Sequence, residues 1–336
     1  MFAIKDSITV TPMFATLLSF DENARPVNRL KERPNLLFDA IIKNQYKEIP
    51  ILIHHGIDPY QCNSDGDDTY HYAIIHNKLE ALEALLANAC KVRHGNDYFN
   101  FCFKNVDGDG NNIVQLAAKE NNIDAIQIIF DHSVPQEAVR FRNEKTGDTA
   151  LHWAFTHANL PMTTLLLSKD SDILAENKSG KTAFYKAVEN GDVSFLHSLL
   201  QFLNHYLQFR WLMKKIVNHP KNQGHTPLHE AISRNDLACV RLLLKFGAEN
   251  KYTNCENSPL TLALELQRKD ISKLLVGNLD EPVPETLLTS KKEIFGDCFI
   301  AVQNLKQGVK RKCCSGKSLL NDVMLEEEER TPIPSK

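Results

Sequence analysis

The chain has 336 residues, 43% hydrophobic and 24% charged, with a formal net charge of -3. That balance suits a folded globular chain and gives neither nucleic acid nor an anionic membrane any global attraction. Eight scattered cysteines without a CxxC pair exclude a compact disulfide framework and a thiolate zinc site, and no window approaches the roughly 20 apolar residues of a membrane span.

Residues 1–33 show little pattern beyond the apolar Phe14–Phe20, without a basic, then apolar, secretory leader. They are expected to shield the open face of the first structural unit beyond residue 33. From residue 34 a short motif recurs, closing each time on alanine. Asn35-Leu36-Leu37-Phe38-Asp39-Ala40 is a divergent copy, Asp68-Thr69-Tyr70-His71-Tyr72-Ala73 carries a histidine, and Asn112-Ile113-Val114-Gln115-Leu116-Ala117 lacks both threonine and histidine. The clearest copies are Gly147-Asp148-Thr149-Ala150-Leu151-His152-Trp153-Ala154, Gly180-Lys181-Thr182-Ala183-Phe184-Tyr185-Lys186-Ala187 and Gly224-His225-Thr226-Pro227-Leu228-His229-Glu230-Ala231. Ser258-Pro259-Leu260-Thr261-Leu262-Ala263 is divergent again. Gaps between the closing alanines are 33, 44, 37, 33, 44 and 32 residues.

The residue types have plain physical reasons. Thr149 or Thr226 suits a helix N-cap, and Pro227 falls at the first helical position, where its missing N–H is not needed. Val240, Leu243 and Leu244 recur at helical spacing, with Gly56 and Gly247 where helices need a left-handed terminator. A period near 33 with this motif resembles the ankyrin-repeat family over residues 34–277. The resemblance implies an all-α ankyrin-repeat solenoid of about seven helix-turn-helix repeats, near 34–66, 67–108, 109–146, 147–179, 180–223, 224–255 and 256–277. It also implies that His71, Thr149, His152, Thr182, Thr226 and His229 are structural motif residues, and that a protein partner binds the repeat tips and first helices.

Two gaps carry insertions. The first holds Tyr98, Phe99, Phe101 and Phe103, and the second holds Tyr206, Arg210 and Trp211; both groups either pack locally or contact a partner. The tips at 63–68, 106–112, 143–148, 177–181 and 221–225 are further candidate contacts. Asp107–Asn111 begins like a calcium loop but lacks its glycine and its closing acid, so it reads as a turn. Ser315-Gly316-Lys317-Ser318 lacks the first glycine of a phosphate loop. No residues suggest a metal, a cofactor or a catalytic group.

After Glu281-Pro282-Val283-Pro284, one more helix within 278–304 is expected to cap the last repeat, with a disordered tail over 305–336. Basic residues around Cys313 and Cys314 would allow membrane association by acylation, the plain alternative being a solvated stretch. Glu326, Glu327, Glu328 and Glu329 resemble the glutamate-rich C-terminal export signal of Dot/Icm type IV secretion effectors. The expected protein is therefore a cytoplasmic, monomeric interaction module and not an enzyme. As an effector it would be secreted into the host cytoplasm. A eukaryotic cytosolic ankyrin adaptor, or an enzyme with a cryptic site in an insertion or the C-terminal extension, are the alternatives.

Overall fold

Every copy of the motif becomes a short helix followed, across a tight turn, by a second helix. The computed structural model describes residues 35–89, 105–132, 134–206, 211–221, 224–250 and 258–278. The Phe99 group, Arg210, residues 1–33, the acidic run, Cys313, Cys314, the expected tail and all but Asn278 of the expected C-terminal cap lie outside them.

The described helices fall into seven pairs. They are α1 Leu36–Ile42 with α2 Ile49–His54, α3 Thr69–Ile75 with α4 Leu79–Ala89, and α5 Ile113–Lys119 with α6 Ile123–Asp131. After a single turn, α7 Gln136–Val139, come α8 Ala150–Thr156 with α9 Leu160–Ser168, then α10 Ala183–Asn190 with α11 Val193–His205. Beyond the short α12 Met213–Val217 come α13 Pro227–Ser233 with α14 Leu237–Lys245, and α15 Pro259–Glu265 with α16 Lys269–Gly277. Among the described residues there is no strand, only the isolated antiparallel bridge Glu176–Thr182. The fold is all-α, of the ankyrin type.

Short helices of this length are marginal alone, so caps and packing must hold them. Asp68 accepts from the backbone N–H groups of Tyr70 and His71, Asn112 from Gln115, Thr182 from Tyr185 and Ser258 from Thr261. Second helices are capped alike by Asn122, Asn159, Asp192 and Asp236. The turn within a pair passes through one left-handed residue, such as Asn44, Asn77, Asn121 or Asn235 (φ 51–61°). Asparagine tolerates that region better than most side chains. Gly56 and Gly247, with φ of 87° and 92°, take the left-handed positions expected of them.

By internal contacts the chain divides into two units, residues 1–153 with 164–171, and residues 154–163 with 172–336. In unit 1, α3 packs on α1 and α5, while α4 packs on α2 and α6. Its core is built on the fully buried Leu37, Ile41, Ile49, Ile53, Tyr70, Ile74 and Leu82. In unit 2, α13 packs on α10 and α15, and α14 on α11 and α16. Phe155, Phe184 and Tyr185 are its largest buried side chains, with Phe155 edge-on to Phe195 at 5.9 Å. All seven closing alanines are at most 2% exposed, because a longer side chain there would hold neighbouring first helices apart. Gly191 ends α10 in the left-handed conformation, and the Arg234 guanidinium folds over it to donate to the carbonyls of Glu189 and Asn190. A Cβ at Gly191 would collide with that guanidinium.

Candidate interaction surfaces

At five junctions between repeats the chain makes a narrow finger. The first residue donates its N–H back across the tip: Asn63 to the Asp67 carbonyl (2.9 Å), Asp107 to Asn111 (2.9 Å), Asn143 to Asp148 (2.9 Å), Asn177 to Lys181 (2.9 Å) and Lys221 to His225 (2.8 Å). Gly66, Gly110, Gly147, Gly180 and Gly224 take the left-handed position each tip requires, with φ of 71–89°. The side-chain oxygen of Asn63, Asp107, Asn143 or Asn177 then accepts two backbone N–H groups at 2.8–3.0 Å. Asp107 thus spends an oxygen on its own turn, in keeping with the turn reading of Asp107–Asn111.

In unit 1 the fingers are tied to each other. The Asn143 amide donates to the Asn111 side chain (2.6 Å) and the Asp109 carbonyl (3.1 Å), and Lys145 donates to the Gly108 carbonyl (2.6 Å). At the finger's edge Lys119 pairs with Asp109 at 2.7 Å. That hydrogen bond and the lysine's charge hold the Asp109 carboxyl below the usual range.

Two motif slots, three residues apart, decide the chemistry at the root of each finger. In two repeats they hold Thr149 with His152 and Thr226 with His229. There the histidine Nδ1 accepts the threonine's backbone N–H (3.1 Å in both) and the threonine hydroxyl sits 2.8 Å away. A nitrogen that accepts carries no proton, so these rings are neutral at Nδ1. In the third repeat Asn112 and Gln115 do the same work as a reciprocal capping box, and the Gln115 amide reaches the Phe141 and Asp148 carbonyls at 2.9 and 2.7 Å.

The second repeat departs from this. Asp68 fills the threonine slot, and His71 Nδ1 lies 2.7 Å from its carboxylate while Nε2 lies 3.2 Å from the Asn111 carbonyl. Both partners can only accept, so both ring nitrogens donate and the buried ring is an imidazolium. Burial opposes its charge, but Asp68, the hydrogen bond to it and nearby Asp107 hold His71 above its usual value. Burial likewise works against the Asp68 carboxylate, and His71 with a bond from Asn105 holds it below the usual range.

In unit 2 the histidine slot of the fifth repeat is Tyr185. Its hydroxyl donates to Glu230 at 2.7 Å, Lys221 stands 4.8 Å from its ring centre and 3.7 Å from the same carboxylate, and Lys181 stands 5.9 Å from the ring centre. Lys181 is held by Glu189 at 2.8 Å. Burial and the Glu230 hydrogen bond keep the Tyr185 phenol protonated. Two finger lysines and two carboxylates are therefore fixed around the buried Tyr185 ring as a charged surface on α10 and α13.

Of the second-insertion residues, Tyr206 and Trp211 are 47% and 74% exposed. Tyr206 closes the 13-residue helix α11 and rests on Phe202 at 4.5 Å. Sequence reasoning missed the charged Asp68–His71 pair, although an acid three residues before a motif histidine was visible. It also missed the Tyr185 cluster, in which the bonded pair Tyr185 and Glu230 is separated by 45 positions.

A family model described as "Ankyrin repeats (3 copies)" matches residues 94–177, 136–208, 157–253 and 202–283 in overlapping windows, more than half of the chain. The B-cell lymphoma 3 protein homolog of Mus musculus is 29% identical over 188 residues, which is 54% of this chain and 39% of that protein. The tyrosine-protein kinase HTK16 of Hydra vulgaris is 26% identical over 181 residues, 52% of this chain and 22% of that protein. Among solved structures, the ankyrin repeat domain of Bcl-3 aligns with a TM-score of 0.56 at 25% identity, covering 70% of this chain and 96% of that one. The chain thus spans well under half the length of these curated relatives.

Proposed function

Because this chain belongs to the ankyrin-repeat family, whose repeats bind protein partners, we propose that it works as a protein-interaction module and carries out no chemistry of its own. The observation that supports this reading is the pre-ordering of the fingers. Four of the five tips are closed by their own backbone and by an asparagine or aspartate side chain, so docking a partner there immobilises little that is mobile beforehand. The Tyr185 cluster adds two lysines and two carboxylates held in place by a buried phenol, a combination suited to a partner segment that carries charges of both signs.

A direct test places bulk and opposite charge on a tip without touching its internal bonds. The variant Lys178→Glu/Ser179→Arg alters exposed side chains only. Capture of partners from cytosol, read by mass spectrometry, should lose its specific binders while the circular dichroism spectrum stays unchanged. Undiminished capture would show that the fingers of unit 2 are not the binding surface. The insertions supply a second contact in this proposal, so Tyr206→Ala/Arg210→Ala/Trp211→Ala should weaken the same capture; equal capture by a folded triple variant removes them from the interface.

For the cellular setting, the glutamate run supports delivery into a host cytoplasm, where the module would occupy or relocate a host protein. Deleting Glu326 to Glu329 from a reporter fusion should abolish translocation. Normal delivery would favour a cytosolic adaptor instead.

A further inference from the structure

The outer helices of unit 2 carry a charge pattern that repeat architecture does not require. Helices α11 and α14, packed side by side, contain no Asp or Glu, and their exposed residues include His197, His205, Arg241 and Lys245. The short α12 adds exposed Lys215 and Lys214, the latter paired with Glu249 at 2.8 Å. The equivalent outer helices of unit 1, α4 and α6, expose Glu80, Glu83, Asp124 and Asp131 and contain no Lys or Arg. The basic surface is therefore a property of these particular helices.

It also has a cleft. Between the ends of α11 and α14 and the start of α12 lies a cavity of about 810 Å³. His197, His205 and Lys245 stand around it, with Met213 and Phe246 supplying apolar surface, and no carboxylate among the described residues lines it. Its rim is fixed. Asn218 donates to the Gly247 carbonyl at 2.9 Å and accepts the Glu249 N–H at 2.7 Å. A cleft of this make-up fits an extended segment that presents an apolar side chain beside a run of acids.

The chain contains one run of four consecutive acids, with apolar residues directly before it: Met324-Leu325-Glu326-Glu327-Glu328-Glu329. The described chain ends beside the cleft, because Asn250, three residues past Gly247, donates to the Leu275 carbonyl in the last turn of α16 (2.7 Å). Residues 279–323 separate that end from the acidic segment. At roughly 3.3 Å per extended residue, reach is no obstacle. Tethering also makes the encounter intramolecular, so a modest intrinsic affinity suffices. We propose that the basic cleft between α11, α12 and α14 is a docking site for the chain's own segment Met324–Glu329. A foreign acidic partner would then have to displace the tail before it could use this face.

Zero-length carbodiimide cross-linking of the full-length protein, resolved by mass spectrometry, tests the contact. Amide links between Glu326–Glu329 and Lys245, Lys214 or Lys215 are expected at monomer mass. The yield of the Lys214 and Lys215 links should fall roughly tenfold in Arg241→Glu/Lys245→Glu, where two attractive exposed charges become repulsive, and should weaken with added salt. A tail carrying glutamine at 326–329 examines the same contact without altering the cleft; α11 and α14 of the isolated protein should then lose protection from hydrogen exchange. Links found only in a dimer would assign the cleft to a second copy and overturn the proposal. Absence of links to these lysines, or exchange unchanged by the glutamine tail, would overturn it outright.

Discussion

His71 holds two protons in the folded chain because neither of its neighbours can give one. The consequence for stability follows from linkage. The unfolded chain loses that proton near pH 6.5, whereas the folded one keeps it longer, so the contribution of His71 is complete below about 6.5 and declines as pH rises through the folded value. Asp68, held below its ordinary range, contributes above about pH 4 and is lost as the solution is acidified further. Thermal melts should therefore show highest stability between these limits and an alkaline decline. Asp68→Thr recreates the neutral threonine–histidine pair of the fourth and sixth repeats, so it should abolish the alkaline decline. Asp68→Ala leaves a charged or unmatched ring in the core and should cost about 3 kcal/mol or more. An unaltered pH profile in Asp68→Thr would mean that His71 is neutral. A second residue-scale expectation concerns thiols. Burial pushes Cys239 up to about 12, whereas Cys62 is exposed, so an aromatic disulfide reagent should modify Cys62 in the folded protein and reach Cys239 only on unfolding. The recurrence of the histidine slot was legible; the charge of its ring was not, because protonation depends on Asn111, 40 positions away.

Helices were the most legible elements, since both the closing alanine and the stripe Val240, Leu243, Leu244 mark surfaces that must be buried. The fingers were legible only as turns. Their internal bonds run from one side chain to backbone groups two to four residues on, and a composition of Asn, Asp and Gly does not reveal which residue accepts. Asn143 shows what is at stake: it is 3% exposed, accepts from two backbone groups and donates to two partners on the preceding finger. Asn143→Ala should destabilise unit 1 by about 2–4 kcal/mol in urea unfolding, and Asn143→Asp, which sets a buried carboxylate oxygen against two acceptor oxygens, by at least as much. Gly110→Ala forces a Cβ onto a φ of 84° with only ordinary contacts around it. Its cost should be backbone strain alone, about 1–2 kcal/mol. A loss much larger than that for Gly110→Ala would point to a clash the geometry does not contain.

Across the whole molecule, the fingers with their first helices and the outer helices of unit 2 offer two kinds of surface, and binding data can separate them. A partner held by fingers should be lost with Lys178→Glu/Ser179→Arg and kept with Arg241→Glu/Lys245→Glu; a partner that competes for the basic cleft should show the reverse, read by calorimetry on one captured protein. Family and architecture were legible from the motif spacing. The basic outer face was not, because it emerges only when helices about 40 residues apart lie side by side. The Arg234 guanidinium lying over Gly191 adds a historical consequence. Most pairs here turn on an asparagine, alanine or glutamine, but this one turns on a glycine that makes room for a side chain from the repeat after it. The two positions form a lock and its keyhole cut into different copies of the unit. Repeat arrays grow by copying units, and a duplication that moved the arginine without the glycine would leave its guanidinium without this seat and without the two carbonyls it reaches here. The tie between these two repeats thus belongs to their order in the chain.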